Sequence, residues 1–284
     1  ISFCEAVFDK EVEVEGVIAK RADSLRDAFA IYEQGQIPVM IDENGSTIET
    51  LHPPVVVDAI LAKRNLGTKI TDAPAVIGVG PGFCAGKDVD AVIETQRGHN
   101  LGRVIYEGEA APNTGIPGMI AGYAKERVIH APATGKLHIL RQIGEIVEPG
   151  DILADIEGTP VETVIGGVLR GMIREGYDVK KGLKIADVDP RVKEQENCYH
   201  ISDKARCVAG GVLEAILHLS KKVDAPQKYK SPFRSKNRKL GLSILLSFYG
   251  TAFSDFTFLC YHSPVIRYKK ILRENMIFME EIDK

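Results

Sequence analysis

Over the first 125 residues the apolar positions switch between two periods. Leu25, Ala28, Phe29 and Tyr32 recur at helical spacing. Asp23-Ser24 ahead of them supplies a cap, and Gly35 behind them supplies a stop. Compact apolar runs follow at Ile37-Pro38-Val39-Met40-Ile41, Val55-Val56-Val57 and Ala75-Val76-Ile77-Gly78-Val79. Such runs predict strands, and their alternation with helical segments predicts an α/β sheet covered on both faces.

From residue 126 to 191 the pattern becomes an internal repeat with an offset of 32 residues, set by Gly135 and Gly167. Leu137 matches Leu169, Gly144 matches Gly176, Val147 matches Val179 and Gly150 matches Gly182. Ala154-Asp155 matches Ala186-Asp187. Each copy reads as short strands joined by glycine turns. One such unit cannot bury its apolar face alone, whereas two facing each other can. The G-x-x-V-x-x-G-x-x-L/I-A-D pattern resembles the barrel-sandwich hybrid of biotinyl and lipoyl domains. Those carriers present a modified lysine on a hairpin between the two halves. The corresponding hairpin here, Ile156 to Val161, holds no Lys, so a docking or structural module is expected rather than a swinging-arm carrier.

Ser202-Asp203 caps a further helical run in which Val208, Val212, Leu213, Ala215, Ile216 and Leu219 form an apolar stripe. Gly210-Gly211 inside that run implies close packing or a kink. After residue 222 the pattern changes. Lys228, Lys230, Arg234, Lys236, Arg238 and Lys239 form a basic run, and Leu240 to Cys260 is largely apolar. That stretch has the length of a membrane span, but its Ser, Thr and Gly and the charge of Asp255 argue for an accessory tail.

Composition narrows the class. A chain of 284 residues fits one large domain or two ordinary ones. Its 44% hydrophobic and 26% charged residues are those of a globular protein rather than a disordered one. A net charge of -3 argues against a nucleic-acid binder. Five scattered cysteines without a C-x-x-C pair point to a reducing, cytoplasmic setting without a zinc ribbon. Ile1-Ser2-Phe3-Cys4-Glu5 lacks the basic start and apolar core of a signal peptide. It also lacks an initiator Met, as a fragment or processed product would.

Candidate chemistry sits in two segments. Gly78-Val79-Gly80-Pro81-Gly82-Phe83-Cys84-Ala85-Gly86-Lys87-Asp88 follows a buried strand. Its backbone N–H groups at Gly80, Gly82 and Gly86 can approach an anion, and Lys87 adds positive charge. Known phosphate motifs do not fit. A Walker loop requires Gly where Pro81 stands and Ser or Thr where Asp88 stands, and a dinucleotide fingerprint starting at Gly78 requires Gly in place of Phe83. The alternative is a tight turn at a strand end. Cys84 is either a thiolate favoured by Lys87 and the loop dipoles or a small buried apolar residue.

The second segment runs from Glu94 to Arg103. Arg97 and Arg103 can hold an oxyanion, and His99 can exchange a proton near neutral pH. The alternative is a solvated turn. Asp58, Lys63 and Arg64 lie after a strand, where α/β folds put ligands. Pro112 to Gly118 reads as a rigid connection or cleft wall. Cys198, His200 and Cys207 lack a standard zinc spacing.

Several of these segments, DAILAKRNLGT from Asp58, GVGPGFCAGKDVDAVIETQRGHNLGRVI from Gly78, PNTGIPG from Pro112, GLKIADVDPR from Gly182 and ISDKAR with GGVLEAI, resemble the YqeB family. The resemblance runs from about residue 1 to 222. It implies an accessory or maturation factor for selenium-dependent molybdenum hydroxylases of the xanthine dehydrogenase-like kind. The implied ligand is the molybdenum cofactor or a selenium species. The family begins with a further strand and a GAGDIATG-type turn, and Ile1 is expected to fall roughly 40 residues into that pattern.

The expected architecture is therefore α/β. Residues 1–125 form an incomplete Rossmann-like unit without its first strand. Residues 126–191 form a small β barrel-sandwich hybrid, 192–222 a closing helix, and 223–284 an unassigned tail. The expected ligand-binding residues are Gly80, Gly82, Cys84, Gly86, Lys87, Arg97, His99 and Arg103, with Cys84 the candidate for soft contact to selenium or metal. The rivals are a nucleotide-dependent enzyme using the same cleft and a docking scaffold without ligand.

Overall fold

A two-residue turn opens the main sheet. Helix α1 (Ala6–Asp9) leads into β1 (Glu11–Val14) and β2 (Val17–Arg21). Their linking residues Glu15 and Gly16 have φ of 49° and 79°, the double-positive geometry that matches the twist of a hairpin. The structure is a computed structural model and describes residues 2–115, 117–223, 242–248 and 256–262. The basic run from Lys228 to Lys239 lies outside the described residues.

Local chemistry sets the next elements. Ser24 accepts the Asp27 N–H at 3.2 Å and starts α2 (Leu25–Glu33), which ends before Gly35 at φ 76°. Strand β3 (Ile37–Ile41) runs into Asp42, whose carboxylate accepts from the N–H and hydroxyl of both Ser46 and Thr47 at 2.6 to 2.9 Å. Those bonds hold the first turn of α3 (Ser46–Leu51). Then come β4 (Val55–Asp58), β5 (Ala75–Val79), β6 (Cys84–Ala85), β7 (Ala91–Ile93), β8 (Val104–Ile105) and β9 (Gly108–Glu109).

The repeat segment carries β10 (Val128–His130), β11 (Gly135–Ile139), β12 (Ile146–Val147) and β13 (Ile152–Ile156). It continues through β14 (Thr159–Glu162), β15 (Gly167–Met172), β16 (Asp178–Val179) and β17 (Lys184–Asp189). Helix α4 (Asp203–Val223) starts at Ser202, whose hydroxyl accepts the Ala205 N–H at 3.1 Å. Strands β18 (Leu242–Phe248) and β19 (Phe256–His262) close the described chain.

The chain is a mixed α/β protein with several sheets, divided into two compact units. One comprises the described residues of Ile1–Asn113 and Ile201–Ile282, and the other Thr114–His200. The first holds a sheet of order β1-β2-β3-β19-β18-β4-β5-β7-β8. Pairs β2/β3, β18/β4, β4/β5 and β5/β7 are parallel. The apolar stretch Leu240 to Cys260 thus supplies strands in its described parts. No helix among the described residues is long and apolar enough to cross a membrane.

Both faces of this sheet are covered, as the apolar runs predict. Val55, Val57, Ile77, Val79 and Ile93 pack with Val208, Val212 and Ile216 of α4. The alternate residues Val56, Val76 and Val92 pack on the opposite face with Leu51 of α3 and Phe83. Gly211 lets α4 come this close, because a methyl there would run into the Gly102 carbonyl.

The second unit obeys an approximate two-fold rule. Its two four-stranded sheets have orders β10-β17-β15-β12 and β14-β13-β11-β16. Adding the repeat offset to one sheet's pairings yields the other's, except that a bulge after Leu169 pairs Gly171 with Asp187 where His138 pairs with Asp155. Gly135 pairs with Val179 as Gly167 pairs with Val147. Asp155 pairs with Pro160 as Asp187 pairs with Val128. Even the turns agree: Gly144 N–H donates to Leu169 O at 2.8 Å, and Gly176 N–H to Leu137 O at 2.9 Å. Each half lends its strands to the other's sheet, so neither half is a complete sheet alone. The repeat thus includes four strands per half, β10–β13 and β14–β17, within the expected 126–191 segment.

The symmetry breaks at the paired aspartates. Asp155 accepts the Gly158 N–H at 2.7 Å and tightens the β13–β14 turn. Asp187 instead accepts from the buried Arg127 at 2.9 Å, and Arg127 also donates to Gly118 O at 3.2 Å. Breaking such a buried pair from one side leaves an uncompensated charge and costs about 3–5 kcal/mol.

The two adjacent helix glycines have opposite expectations. A methyl on Gly210 would meet open space, whereas one on Gly211 would abut the Gly102 backbone. Gly210→Ala is expected to stabilise the chain by about 0.5–1 kcal/mol through helix propensity. Gly211→Ala is expected to cost about 1–3 kcal/mol from overpacking. Urea unfolding of both variants checks the pair, and equal effects would remove the close-approach explanation.

Candidate functional site

Strands β4, β5 and β7 run parallel and in register, Asp58 beside Gly78 and Val79 beside Ile93. Their chain ends therefore deliver three loops to one edge of the sheet, where open α/β sheets bind ligands.

The loop after β4 is tied down from within. Asp58 is 2% exposed, and its carboxylate accepts the Ile60 N–H at 3.1 Å and the Thr68 hydroxyl at 2.5 Å. Asn65 Oδ1 accepts the N–H groups of Gly67 and Thr68, both at 2.8 Å, and its Nδ2 donates to Thr68 O. Between these anchors Leu61 and Lys63 adopt φ of 56° and 62°, a left-handed backbone that costs non-glycine residues about 1–2 kcal/mol each.

The glycine-rich loop after β5 lies directly on it. A methyl on Gly80 would stand 3.0 Å from Thr95 Oγ1 and 3.3 Å from Leu61 Cδ2. One on Gly82 would stand 2.6 Å from the backbone N and Cα of Arg64, and one on Gly78 2.6 Å from the Phe83 ring. Gly80 and Gly82 also have φ of 81° and 111°. At Gly82 glycine is required twice over, for the backbone angle and for the approach of the Arg64 backbone.

The far part of that loop folds back on itself. Cys84 N–H donates to Asp88 Oδ2 at 2.9 Å, and the Lys87 and Asp88 N–H groups donate to Cys84 O. Gly86 N–H donates to Val89 O at 2.8 Å. Cys84 is half-buried in β6 beside Glu109 of β9, and Lys87 is exposed. The structure thus separates the predicted loop residues into two settings. Gly80 and Gly82 lie against the β4 loop, whereas Cys84, Gly86 and Lys87 build the turn beyond it.

The third loop, 94–103, is held by a buried glutamate. Glu94 accepts the Gln96 N–H at 2.7 Å and the Ala111 N–H at 2.8 Å. Arg97 reaches Asp203 at the start of α4 with two donors, at 3.0 and 3.4 Å. Those hydrogen bonds hold the Asp203 carboxyl below its usual range. His99 and Arg103 are exposed. Cys207 on α4 donates its thiol to Leu101 O at 3.2 Å, while burial pushes the thiol of Cys198 up. Among the described residues no group of three His, Cys, Asp or Glu side chains is arranged to hold a metal.

Asp58 is the most perturbed carboxyl at this edge. Burial pushes it up to about 6, with Asp72 adding to the rise, while Thr68 and Ile60 pull the other way. The sequence places Asp58 after a strand but not its burial, which depends on packing of the loop that follows.

A carboxyl whose folded pKa exceeds its unfolded value makes stability fall as pH rises between the two, here from about 4 to 6. The loss is complete above the folded pKa and amounts to about 3 kcal/mol. Asp58→Asn is expected to flatten the stability profile over that window. Denaturant unfolding at pH 4, 5, 6 and 7 checks it, and an unchanged slope would mean that Asp58 ionises freely.

No protein-family model matches the chain. No solved structure matches it. A curated protein of Escherichia coli (strain K12), "Uncharacterized protein YqeB", is 49% identical over 219 residues. That alignment covers 77% of this chain and 40% of the relative, so the chain spans about two fifths of the relative's length. With half of the aligned residues identical over most of its length, the chain belongs to the YqeB family.

Proposed function

We propose that this chain acts in an accessory or maturation factor for selenium-dependent molybdenum hydroxylases of the xanthine dehydrogenase-like kind. In this reading it works in the cytoplasm and binds an anionic cofactor or a selenium or molybdenum species. The observation that carries it is the convergence of the β4, β5 and β7 loops at one sheet edge in a member of the YqeB family. This reading draws its oxyanion donors from the segments of Gly80, Gly82, Gly86 and Lys87 and of Arg97, His99 and Arg103. Cys84 supplies a soft sulfur.

The first unit is read as Rossmann-like, which its parallel, doubly covered strands support. The repeat unit is read as a barrel-sandwich hybrid, which its interchanged, two-fold strand pairing supports. Its β13–β14 turn, Glu157-Gly158, carries no lysine.

A docking role for the repeat unit is favoured by one asymmetry. Leu140, Ile146 and Ile152 are exposed, yet their partners across the repeat are Met172, Asp178 and Lys184. Polar residues suffice at two of these three equivalent positions, so the fold does not require apolar surface at Ile146 and Ile152. The hydroxylase is the partner this reading assigns to them.

Native mass spectrometry with elemental analysis tests the proposal on protein purified under reducing conditions from cells given selenite and molybdate. A bound species containing selenium or molybdenum is expected, reduced about tenfold in Cys84→Ala and Arg97→Ala. An apo mass throughout, with hydroxylase pull-down lost in Ile146→Lys/Ile152→Lys, would replace ligand handling by docking.

A further inference from the structure

We infer that the anion site centres on Arg64 and the backbone N–H groups of Gly82 and Phe83, and that it takes a tetrahedral oxyanion. This rests on the reading that the β4–β5–β7 edge binds an anion, and it selects the residues that do so.

The selection follows from the hydrogen bonds already made. In the glycine-rich loop the N–H groups of Gly80, Cys84, Gly86, Lys87 and Asp88 all donate to protein acceptors. Pro81 has no N–H to give. The N–H groups of Gly82 and Phe83 remain without a protein acceptor among the described residues. Two successive amides on a loop that passes through a positive φ form a small concave donor pair suited to one anionic oxygen. Gly82 supplies that angle, φ 111°.

Arg64 is the cation that belongs to this pair. Its backbone lies against Gly82 so closely that a methyl on Gly82 would come within 2.6 Å of its N and Cα. Its side chain is exposed and has no carboxylate partner among the described residues. Arg97, by contrast, gives two donors to Asp203. Lys63 and Leu61 adopt left-handed backbone on the residues just before Arg64. The Asp58–Thr68 and Asn65–Thr68 bonds enforce that path. The loop is therefore preorganised to present Arg64 at the Gly82 crossing, and binding need not pay to order it. A planar guanidinium carried by the residue that abuts Gly82 can add two donors to these two amides, matching the oxygens of a phosphate-shaped ion.

Phosphoryl groups and molybdate share this shape, so the probes separate them. Isothermal titration of the full chain with inorganic phosphate, pyrophosphate and molybdate is expected to show binding of at least one. Arg64→Ala is expected to weaken it tenfold or more, with partial recovery in Arg64→Lys. In 15N spectra the Gly82 and Phe83 amide signals are expected to move most on titration. Preference for pyrophosphate would assign a phosphorylated ligand, and preference for molybdate would assign the oxyanion itself. Unchanged binding in Arg64→Ala, with loss in Arg103→Ala or Lys87→Ala, would overturn this assignment and leave the anion-binding reading standing. Absence of binding of every probe to the wild-type chain would overturn both.

Discussion

Backbone meets backbone at the carboxyl edge of β4, β5 and β7, and that contact governs what the edge can hold. Gly82 rests on the backbone of Arg64 and Gly211 on that of Gly102, while Gly80 rests on the side chains of Leu61 and Thr95. The two backbone crossings bring main chains closer than any side chain permits. The result is a set of loops whose positions depend on one another. A displaced β4 loop would move the glycine-rich loop, and the 94–103 loop is pinned from below by α4. Rigidity of this kind costs backbone strain at Leu61 and Lys63, and strain of that kind collects where a site must be preorganised.

Carboxylates do most of the fastening. Asp42 gathers four donors at the start of α3, Glu94 ties two N–H groups, and Asp203 takes two donors from Arg97. Asp58 holds both ends of its loop. These acids are largely engaged by neutral donors or a single arginine. The chain is slightly acidic overall, at -3, yet the acids nearest the edge are occupied while Arg64 is exposed. A local anion site is compatible with a net negative protein, because salt screens exposed charges beyond about a Debye length.

The repeat unit shows the same economy in another form. Two copies of one strand plan exchange strands, so that apolar faces too small to bury alone are buried together. Divergence between the copies is then the informative part. Asp155 closes a turn where Asp187 neutralises a buried arginine. Ile146 and Ile152 stay apolar where Asp178 and Lys184 do not.

Much of this was legible from residue order. The cap at Ser24, the strands at 37–41, 55–57 and 75–79, the helix after Ser202 and the repeat follow from periodicity and glycine spacing, because those are local consequences of backbone geometry. The sequence also marked Gly80 and Gly82 as special and Gly210-Gly211 as close packing or a kink, of which the structure shows close packing at Gly211. It could not tell which amides would be consumed within the loop, that Arg97 would meet Asp203 across more than a hundred positions of chain, or that Asp58 would be buried. Residue order determined which elements form and where chemistry was available. Tertiary structure decided which donors remained, because hydrogen-bond partners and solvent exposure are set by neighbours that lie far away along the chain.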